Sequence, residues 1–204
     1  FINNIKNKRD ADVIGIMDRK KLDKGIVELS KMLENLDEIP LPAYDLLDIE
    51  FYKKTVGGSL MFSRGCVYKC TFCSSHTVHG RRMRFKSNEK ILTEFYHLIN
   101  NLGFKKILIE DDLFAVNKKK FFELSDKLIQ HRDEIKYYLP QGLSVHILDE
   151  KVIDSMVQMG IDEYYVAIES GSEYTQKYII KKRVNLNKAR RMIEYLRSKD
   201  LSFY

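Results

Sequence analysis

From residue 59 to the end of the chain, short apolar runs alternate with longer segments whose apolar residues recur at helical spacing. Five runs have the length and composition of β-strands: residues 59–63 (SLMFS), 105–110 (KKILIE), 139–147, 162–168 (DEYYVAI) and 201–204 (LSFY). Four amphipathic segments separate them. This alternation predicts an α/β fold in which parallel strands are joined by right-handed helical crossovers.

The four predicted helices have recognisable ends, because Asn and Asp are favoured N-caps and Gly is favoured just after a helix. The helices are expected to run from about Ile91 to Gly103, from Asn117 onward, from Asp149 to Gly160 and from Asn187 onward. Their apolar stripes are predicted to form the core.

Residues 1–55 follow a different pattern. Pro40 and Pro42 exclude helix around them, within the stretch LDEIPLPAYDLLDIE. We predict that residues 1–55 are a linker with the tail of an upstream domain, and that residues 56–204 form the main domain. The chain starts at Phe1 and ends in what looks like half a strand, so we expect a fragment whose sheet is truncated on the C-terminal side.

Composition narrows the class of protein. In 204 residues, 44% are apolar, which suffices for a folded core. No run approaches the roughly 18 apolar residues of a membrane span, and the first residues lack the apolar core of a signal peptide, so we expect a cytoplasmic protein without a membrane span. The net charge of +6 comes from scattered runs at 81–86, 118–120 and 181–183. Such runs are usually solvated, and charge alone does not favour nucleic acid.

All three cysteines lie in one short stretch, SRGCVYKCTFCSSH, at positions 66, 70 and 73. An odd number of thiols this close together cannot close a useful set of disulfide loops, which leaves a metal site or a reactive thiol. Three thiolates around one metal centre leave one position without a protein ligand. His76 or His79 could fill it in a structural zinc site, whereas ferredoxin-type carriers normally use four cysteines.

Other polar residues come at the ends of predicted strands, where the chemistry of parallel α/β folds gathers. Glu110, Asp111 and Asp112 follow the second strand, and ESGS follows the fourth. Alternation along the strand directs Glu110 and Asp112 to one side and Asp111 to the other, without showing which side faces the interior. His146, near the end of the third strand, is a weaker candidate for a substrate contact.

The stretch CVYKCTFC resembles the Cys-x3-Cys-x2-Cys motif of the radical S-adenosylmethionine (radical SAM) superfamily, including an aromatic residue, Phe72, before the third cysteine. LDEIPLPAYDLL, SRGCVYKCTFCS, ILIEDDLF and VAIESGSE occur in the order seen in the subgroup whose catalytic barrel follows a cobalamin-binding domain. Val67 departs from that subgroup, which commonly has proline there. The resemblance covers about residues 36–204.

The resemblance implies a partial (β/α)6 TIM-like barrel, incomplete here, that holds a 4Fe-4S cluster and S-adenosylmethionine (SAM). The implied cluster ligands are Cys66, Cys70 and Cys73. The implied SAM contacts are Phe72, the acidic residues Glu110, Asp111 and Asp112 for the amino group, and Glu169 and Ser170 for the ribose.

The implied activity is reductive cleavage of SAM, which starts radical chemistry such as methyl transfer, methylthiolation or rearrangement on an unknown substrate. The implied partners are a flavodoxin- or ferredoxin-type electron donor and, through the connector alone, cobalamin bound by an upstream domain. The alternative is a zinc-stabilised module that binds nucleic acid.

Overall fold

The computed structural model describes residues 23–25 and 32–204. Contacts divide the chain into two compact units, Phe1–Glu34 and Asn35–Tyr204. The helices and strands numbered here and the candidate functional site lie in the second unit. In the described part of the chain, no helix is both long enough and apolar enough to span a membrane.

The elements of the second unit are short and regular. The helices are α1 (Ile49–Thr55), α2 (Ser75–His79), α3 (Asn88–Tyr96), α4 (Lys118–Leu128), α5 (Glu150–Gln158) and α6 (Leu186–Ser198). The strands are β1 (Gly58–Leu60), β2 (Ser63–Arg64), β3 (Arg84–Phe85), β4 (Lys106–Ile109), β5 (Lys136–Tyr138), β6 (Leu143–Ser144), β7 (Glu163–Tyr164), β8 (Val166–Ala167) and β9 (Ser202–Phe203). Short 3-10 turns lie at Leu36–Glu38, Tyr44–Leu46 and Ile129–His131, and π-helical turns at His97–Asn101 and Thr175–Ile179.

The main strands run parallel in the order in which they occur along the chain. Strand β4 lies between β1 and β5, and β6 pairs with β8 while β7 pairs with β9. Strands β2 and β3 form a separate antiparallel pair, and the cysteines lie in the connection between them. The prediction of an α/β fold with a partial parallel barrel is confirmed.

The core lies between the outer face of the sheet and the helices. On β4, Ile107 and Ile109 are fully buried while Lys106 and Leu108 are only partly so, which is the period of a strand. The apolar stripes of the helices cover this face. Two predicted helix starts are confirmed, because Asn117 accepts a hydrogen bond from the backbone N–H of Lys120 and Asp149 from that of Val152.

Four predicted element boundaries are wrong. The predicted strand 59–63 is interrupted after Leu60, and Ser63 belongs to the antiparallel pair β2–β3. Helix α6 starts before Asn187, because Asn185 is its cap and accepts from the N–H of Lys188. The third strand starts at Lys136, outside the predicted range 139–147, much of which is turn. The predicted strand 162–168 is two strands that meet at Tyr165, whose carbonyl accepts from the N–H of Leu143 at 2.6 Å.

Residues 36–55 pack against the core of the second unit. Leu36 is fully buried, and Tyr44 and Tyr52 cover the core from outside. The carboxylate of Asp37 accepts a 2.7 Å hydrogen bond from the N–H of Ser87, the cap of α3. The prediction of a domain boundary at residue 55 remains a prediction, while the contacts place residues 35–55 with the sheet.

Candidate functional site

A cavity of about 280 Å³ opens at the C-terminal ends of the parallel strands. Side chains of all three cysteines line it, together with residues from the ends of β4, β5 and β8. The thiol, aromatic, charged and amide side chains that line it are those of Cys66, Tyr68, Cys70, Phe72, Cys73, Asp112, Gln141, Glu169 and Lys182. Asp112 and Glu169, which follow two of the predicted strands, therefore meet the cysteines in one place, because parallel strands present their ends at the same edge.

The cysteine loop begins at a glycine that no other residue can replace without strain. Gly65 has φ +110°, and a Cβ there would lie 2.3 Å from the carbonyl oxygen of Arg82. The next residue, Cys66, donates its N–H to the carbonyl of Gly80 at 3.1 Å. The loop therefore leaves the hairpin β2–β3 in one defined direction.

Two further contacts hold the loop against the rest of the site. Thr71 donates its N–H to the carbonyl of Ile180 at 3.0 Å and its hydroxyl to that of Ile179 at 2.9 Å. The ring of Tyr68 stacks on that of His146 with centroids 4.5 Å apart. His146, a sequence candidate for substrate contact, thus supports the loop, and its Nε2 lies 3.0 Å from the carbonyl oxygen of Lys182.

The three thiols are free and half-buried. Burial raises the pKa of the Cys66 thiol, and the neighbouring carboxylate of Asp112 adds to that rise. Burial also raises the pKa of Cys70, but the positive charge of Lys182 opposes this effect. Cys73 Sγ accepts a hydrogen bond from the backbone N–H of Ser75 at 3.4 Å. The positive charge of Lys182 and the N–H of Ser75 thus both act on sulfur atoms of the cysteine loop.

Glu169 and Lys182 form an ion pair in the cavity wall, with 2.9 Å between Lys182 Nζ and Glu169 Oε1. The Lys182 side chain is 8% exposed, whereas that of Glu169 is 39% exposed and open to a ligand. Glu169 adopts φ +71°, which is uncommon for a residue with a side chain. The buried Gln176 holds this turn by donating from Nε2 to the carbonyls of Ile168 and Ser170 at 2.6 and 2.8 Å.

The structure separates the three consecutive acids. Asp112 lines the cavity, and Glu110 accepts a 3.0 Å hydrogen bond from Nε2 of Gln141, which also lines it. Asp111 points away: it is 2% exposed and accepts hydrogen bonds from the N–H of Phe62 and the hydroxyl of Ser63. The carboxylate of Asp111 thus fixes the start of the hairpin and does not line the cavity, and its contact with the cofactor stays a prediction.

Ser170 is not among the residues that line the cavity either. Its hydroxyl accepts a 3.1 Å hydrogen bond from the N–H of Ser172, two residues further on, within the turn that follows Glu169. Phe72, in contrast, lines the cavity, and this residue is 58% exposed. The structure therefore brings Phe72, Asp112 and Glu169 together with the cysteines and leaves Ser170 in a local structural contact.

Sequence reasoning missed Lys182, Gln141 and Tyr68. Lys182 lies in the run KKR, which resembles a solvated face, yet it is buried while its neighbours Lys181 and Arg183 are exposed. Gln141 follows Pro140 in what looked like a strand. Tyr68 lies within the cysteine motif itself, so its position between Cys66 and Cys70 was the one available signal.

The donor set of three free thiols on one cavity suits an iron-sulfur cluster, whose irons are held by cysteine thiolates. Among residues 23–25 and 32–204, no three His, Cys, Asp or Glu side chains converge on a point where they could ligate one metal ion. A cubane instead spreads three cysteine ligands over three irons. His76 and His79, the candidate fourth ligands for zinc, do not line the cavity. Within the described residues, the hydroxyl of Ser75 is buried beside the thiols without a hydrogen-bond partner, so a polar group bound there would meet a free donor.

Comparison with known proteins agrees with this geometry. Residues 60–203 match the model of the radical SAM superfamily. The chain is 36% identical over 150 residues to an uncharacterized methyltransferase of Pyrococcus horikoshii, covering 72% of this chain and 32% of that protein. It is 32% identical over 180 residues to cytidylyl-2-hydroxyethylphosphonate methyltransferase of Streptomyces wedmorensis, covering 82% and 33%.

A solved structure is also similar in fold. The cobalamin-dependent SAM radical enzyme OxsB, with aqua-cobalamin and SAM bound, matches with a TM-score of 0.74 at 19% identity, over 99% of this chain and 30% of that one. The family match covers most of the chain, and this chain belongs to the radical SAM superfamily. It spans about a third of the length of the curated relatives it matches.

Proposed function

We propose that this chain is the cluster-bearing part of an enzyme that cleaves SAM reductively and transfers a methyl group to an unidentified substrate. The observation that carries the proposal is the common cavity of Cys66, Cys70 and Cys73 with the Glu169–Lys182 pair and Asp112. The family match and the methyltransferase relatives support it.

In this proposal the three thiolates hold a 4Fe-4S cluster, and the carboxylates beside them bind SAM. Glu169 suits the ribose, since a carboxylate can accept hydrogen bonds from both hydroxyls, and Asp112 suits the ammonium group. Phe72 is exposed and offers its ring for the adenine. The cluster, when bound, would supply the single electron that breaks the bond between the sulfonium sulfur and the deoxyadenosyl group of SAM. The products are methionine and a 5′-deoxyadenosyl radical.

We also propose that the complete protein uses cobalamin bound outside residues 35–204. The sequence similarity of the connector and barrel motifs to the cobalamin-associated subgroup supports this. The fold match to a cobalamin-dependent enzyme over 99% of the chain points the same way. No Asp-x-His-x-x-Gly motif, a common cobalamin signature, occurs in the 204 residues.

Anaerobic reconstitution with iron and sulfide tests the assignment. We expect a brown protein with about four irons per chain. Changing Cys66, Cys70 or Cys73 to Ala should abolish iron binding, because the chain has no other cysteine to substitute. His76→Ala and His79→Ala serve as matched controls and should keep the cluster, since neither residue lines the cavity.

Two results would contradict the proposal. One is a cysteine variant that keeps four irons. The other is a colourless protein that binds one zinc and loses it in His76→Ala or His79→Ala, which would instead indicate the zinc-stabilised module.

A further inference from the structure

Lys182 brings a buried positive charge into the wall of the cysteine cavity. Of the described residues that line this cavity, Asp112 and Glu169 are acidic and Lys182 alone is basic. The Lys182 side chain is only 8% exposed, whereas lysine side chains normally keep their charged end in water. Removing an ammonium group from water costs free energy, so the fold must hold it in place.

The backbone on both sides of Lys182 is in the left-handed region. Lys181 has φ +53° and Arg183 has φ +58°. This conformation is unfavourable for a residue with a Cβ and persists where the surrounding structure imposes it, often at functional sites. The result is that Lys182 is buried while Lys181 and Arg183 are exposed.

The cysteine loop is joined to the segment that bears Lys182 at two places. Thr71 of the loop donates its N–H to the carbonyl of Ile180 at 3.0 Å. The ring of Tyr68, also in the loop, stacks on His146, whose Nε2 lies 3.0 Å from the carbonyl oxygen of Lys182. The position of the lysine backbone is therefore fixed relative to the thiols.

The charge of Lys182 acts on both a carboxylate and a thiol. Lys182 Nζ lies 2.9 Å from Glu169 Oε1. Burial raises the pKa of the Cys70 thiol, the positive charge of Lys182 opposes that rise, and the negative charge of Glu169 adds to it. The lysine and the glutamate thus have opposite effects on the same sulfur atom.

This pair of charges has a consequence for a cluster held by the three cysteines. The thiolates bring negative charge, and reduction of the cluster adds one more. Net charge, hydrogen bonds to sulfur and solvent exposure set the reduction potential of iron-sulfur clusters. A buried cation beside the thiolates stabilises the added electron, and a carboxylate beside them destabilises it, since charges interact more strongly where water is excluded.

We propose that Lys182 is a positioning residue that raises the reduction potential of the cluster and fixes the Glu169 carboxylate in the cavity wall. The proposal rests on the proposed function, because it presupposes a cluster on the three cysteines. In the reduction step a one-electron donor, dithionite in the test below, loses one electron and the cluster gains it. No bond forms or breaks in this chain.

The alternative role of Lys182 is structural, as the partner that neutralises Glu169 and nothing more. A structural ion pair would affect the stability of the protein and leave the reduction potential unchanged. The potential therefore distinguishes the two roles, and it is measured without SAM so that any effect of Glu169 on SAM binding does not enter.

The test uses the full-length protein, reconstituted anaerobically, in five variants. Lys182→Met removes the charge at similar volume, and Lys182→Arg keeps it. Glu169→Gln removes the opposing charge, and Lys182→Met/Glu169→Gln removes both. Lys181→Met is the matched control, since Lys181 is the exposed neighbour and does not line the cavity. Each protein is titrated with dithionite in the presence of redox mediators, and the electron paramagnetic resonance signal of the reduced cluster is followed.

We expect Lys182→Met to make reduction at least tenfold less favourable, which lowers the midpoint potential by about 59 mV for one electron. Glu169→Gln should raise the potential, and the double variant should return towards the wild-type value. Lys182→Arg should stay closer to wild type than Lys182→Met does. Lys181→Met should match wild type, because water and salt screen an exposed charge.

Equal midpoint potentials in wild type and Lys182→Met would overturn this inference and leave the proposed function standing. A potential that Glu169→Gln leaves unchanged or lowers would also overturn it, and this variant decides the question if Lys182→Met takes up no cluster. An equal shift in Lys181→Met would show that the effect comes from the overall charge of the protein, which contradicts a specific role for Lys182. A wild-type protein that takes up no iron would overturn the proposed function as well.

Discussion

Glu169 combines two properties that suit a ligand contact. Its carboxylate is paired with the buried Lys182, so its charge is fixed in place, and its side chain still has 39% of its surface open to the cavity. Its backbone is held in the left-handed region by the buried Gln176. A carboxylate oriented in this way is ready to accept hydrogen bonds before a ligand arrives.

We therefore expect Glu169→Gln to weaken SAM binding to the cluster-loaded protein by about 1–3 kcal/mol, since the substitution keeps the shape but weakens charge-assisted hydrogen bonds. Isothermal titration of SAM under anaerobic conditions would measure this loss. Glu173→Gln is the matched control, because Glu173 is exposed and does not line the cavity. An unchanged dissociation constant in Glu169→Gln would remove Glu169 from the SAM site.

Asp111 is a buried acid whose hydrogen bonds hold the start of the hairpin β2–β3. Burial raises the pKa of Asp111 to about 6, although hydrogen bonds from Phe62 and Ser63 favour its charged form. The unfolded chain releases this proton near pH 4. Between about pH 4 and 6 the folded protein therefore binds more protons than the unfolded one, so stability falls as the pH rises through this window and is level above it.

Asp111→Asn should remove this pH dependence while retaining hydrogen bonds to the hairpin. We expect the free energy of unfolding of Asp111→Asn, relative to wild type, to rise by about 3 kcal/mol from pH 4 to pH 7. Urea denaturation at several pH values would measure both proteins. Parallel pH profiles for the two proteins would show that folding does not raise the pKa of Asp111.

At the scale of elements, α6 shows how a cap sets a helix start. Asn185 and Asn187 are both plausible caps from sequence, but the side chain of Asn185 accepts from the N–H of Lys188, whereas that of Asn187 accepts from the Arg190 guanidinium. Leu186 is buried, so the helix must begin early enough to place it against Val145 and Val184. Packing therefore selects between two equivalent local signals.

Asn185→Ala should lower the free energy of unfolding by about 1 kcal/mol, because it leaves an N-terminal N–H of α6 without its partner. Asn187→Ala removes one exposed side-chain contact and should cost less than about 0.5 kcal/mol. Chemical denaturation of both variants would compare them. The reverse order of effects would place the helix start at Asn187.

At the scale of the whole molecule, residues 35–55 belong to the compact unit Asn35–Tyr204. Leu36 is fully buried, Tyr44 and Tyr52 pack on the core, and Asp37 accepts from the backbone of Ser87. Residues 35–55 are therefore expected to contribute to the stability of the sheet.

We expect a chain of residues 35–204 to be more stable than one of residues 56–204 by at least about 3 kcal/mol, since burial of Leu36 alone is worth about 1.5–3 kcal/mol. Thermal and urea unfolding of the two chains would measure the difference. Leu36→Ala in the longer chain is the matched point change and should reproduce about 2–3 kcal/mol of it. Equal stability of the two chains would support a domain boundary at residue 55.

The sequence alone determined the class of fold, the helix caps at Asn117 and Asp149 and the grouping of the cysteines. These features depend on local periodicity, on side chains that bond their own backbone and on spacing within one loop, all of which are readable along the chain. The strand-end rule also placed the acids and ESGS near the thiols, since parallel strands share an edge.

Only the tertiary structure decided which of these residues face the cavity. Asp111 and Asp112 are neighbours of the same type, and the loop that follows β4 buries the first against the hairpin and places the second in the cavity wall with the thiols. Lys181 and Lys182 differ in the same way, since Lys182 is buried and Lys181 is exposed within one charged run. The approach of residues 174–193 to the cysteine loop depends on contacts between segments more than 100 residues apart, and no local pattern encodes such contacts.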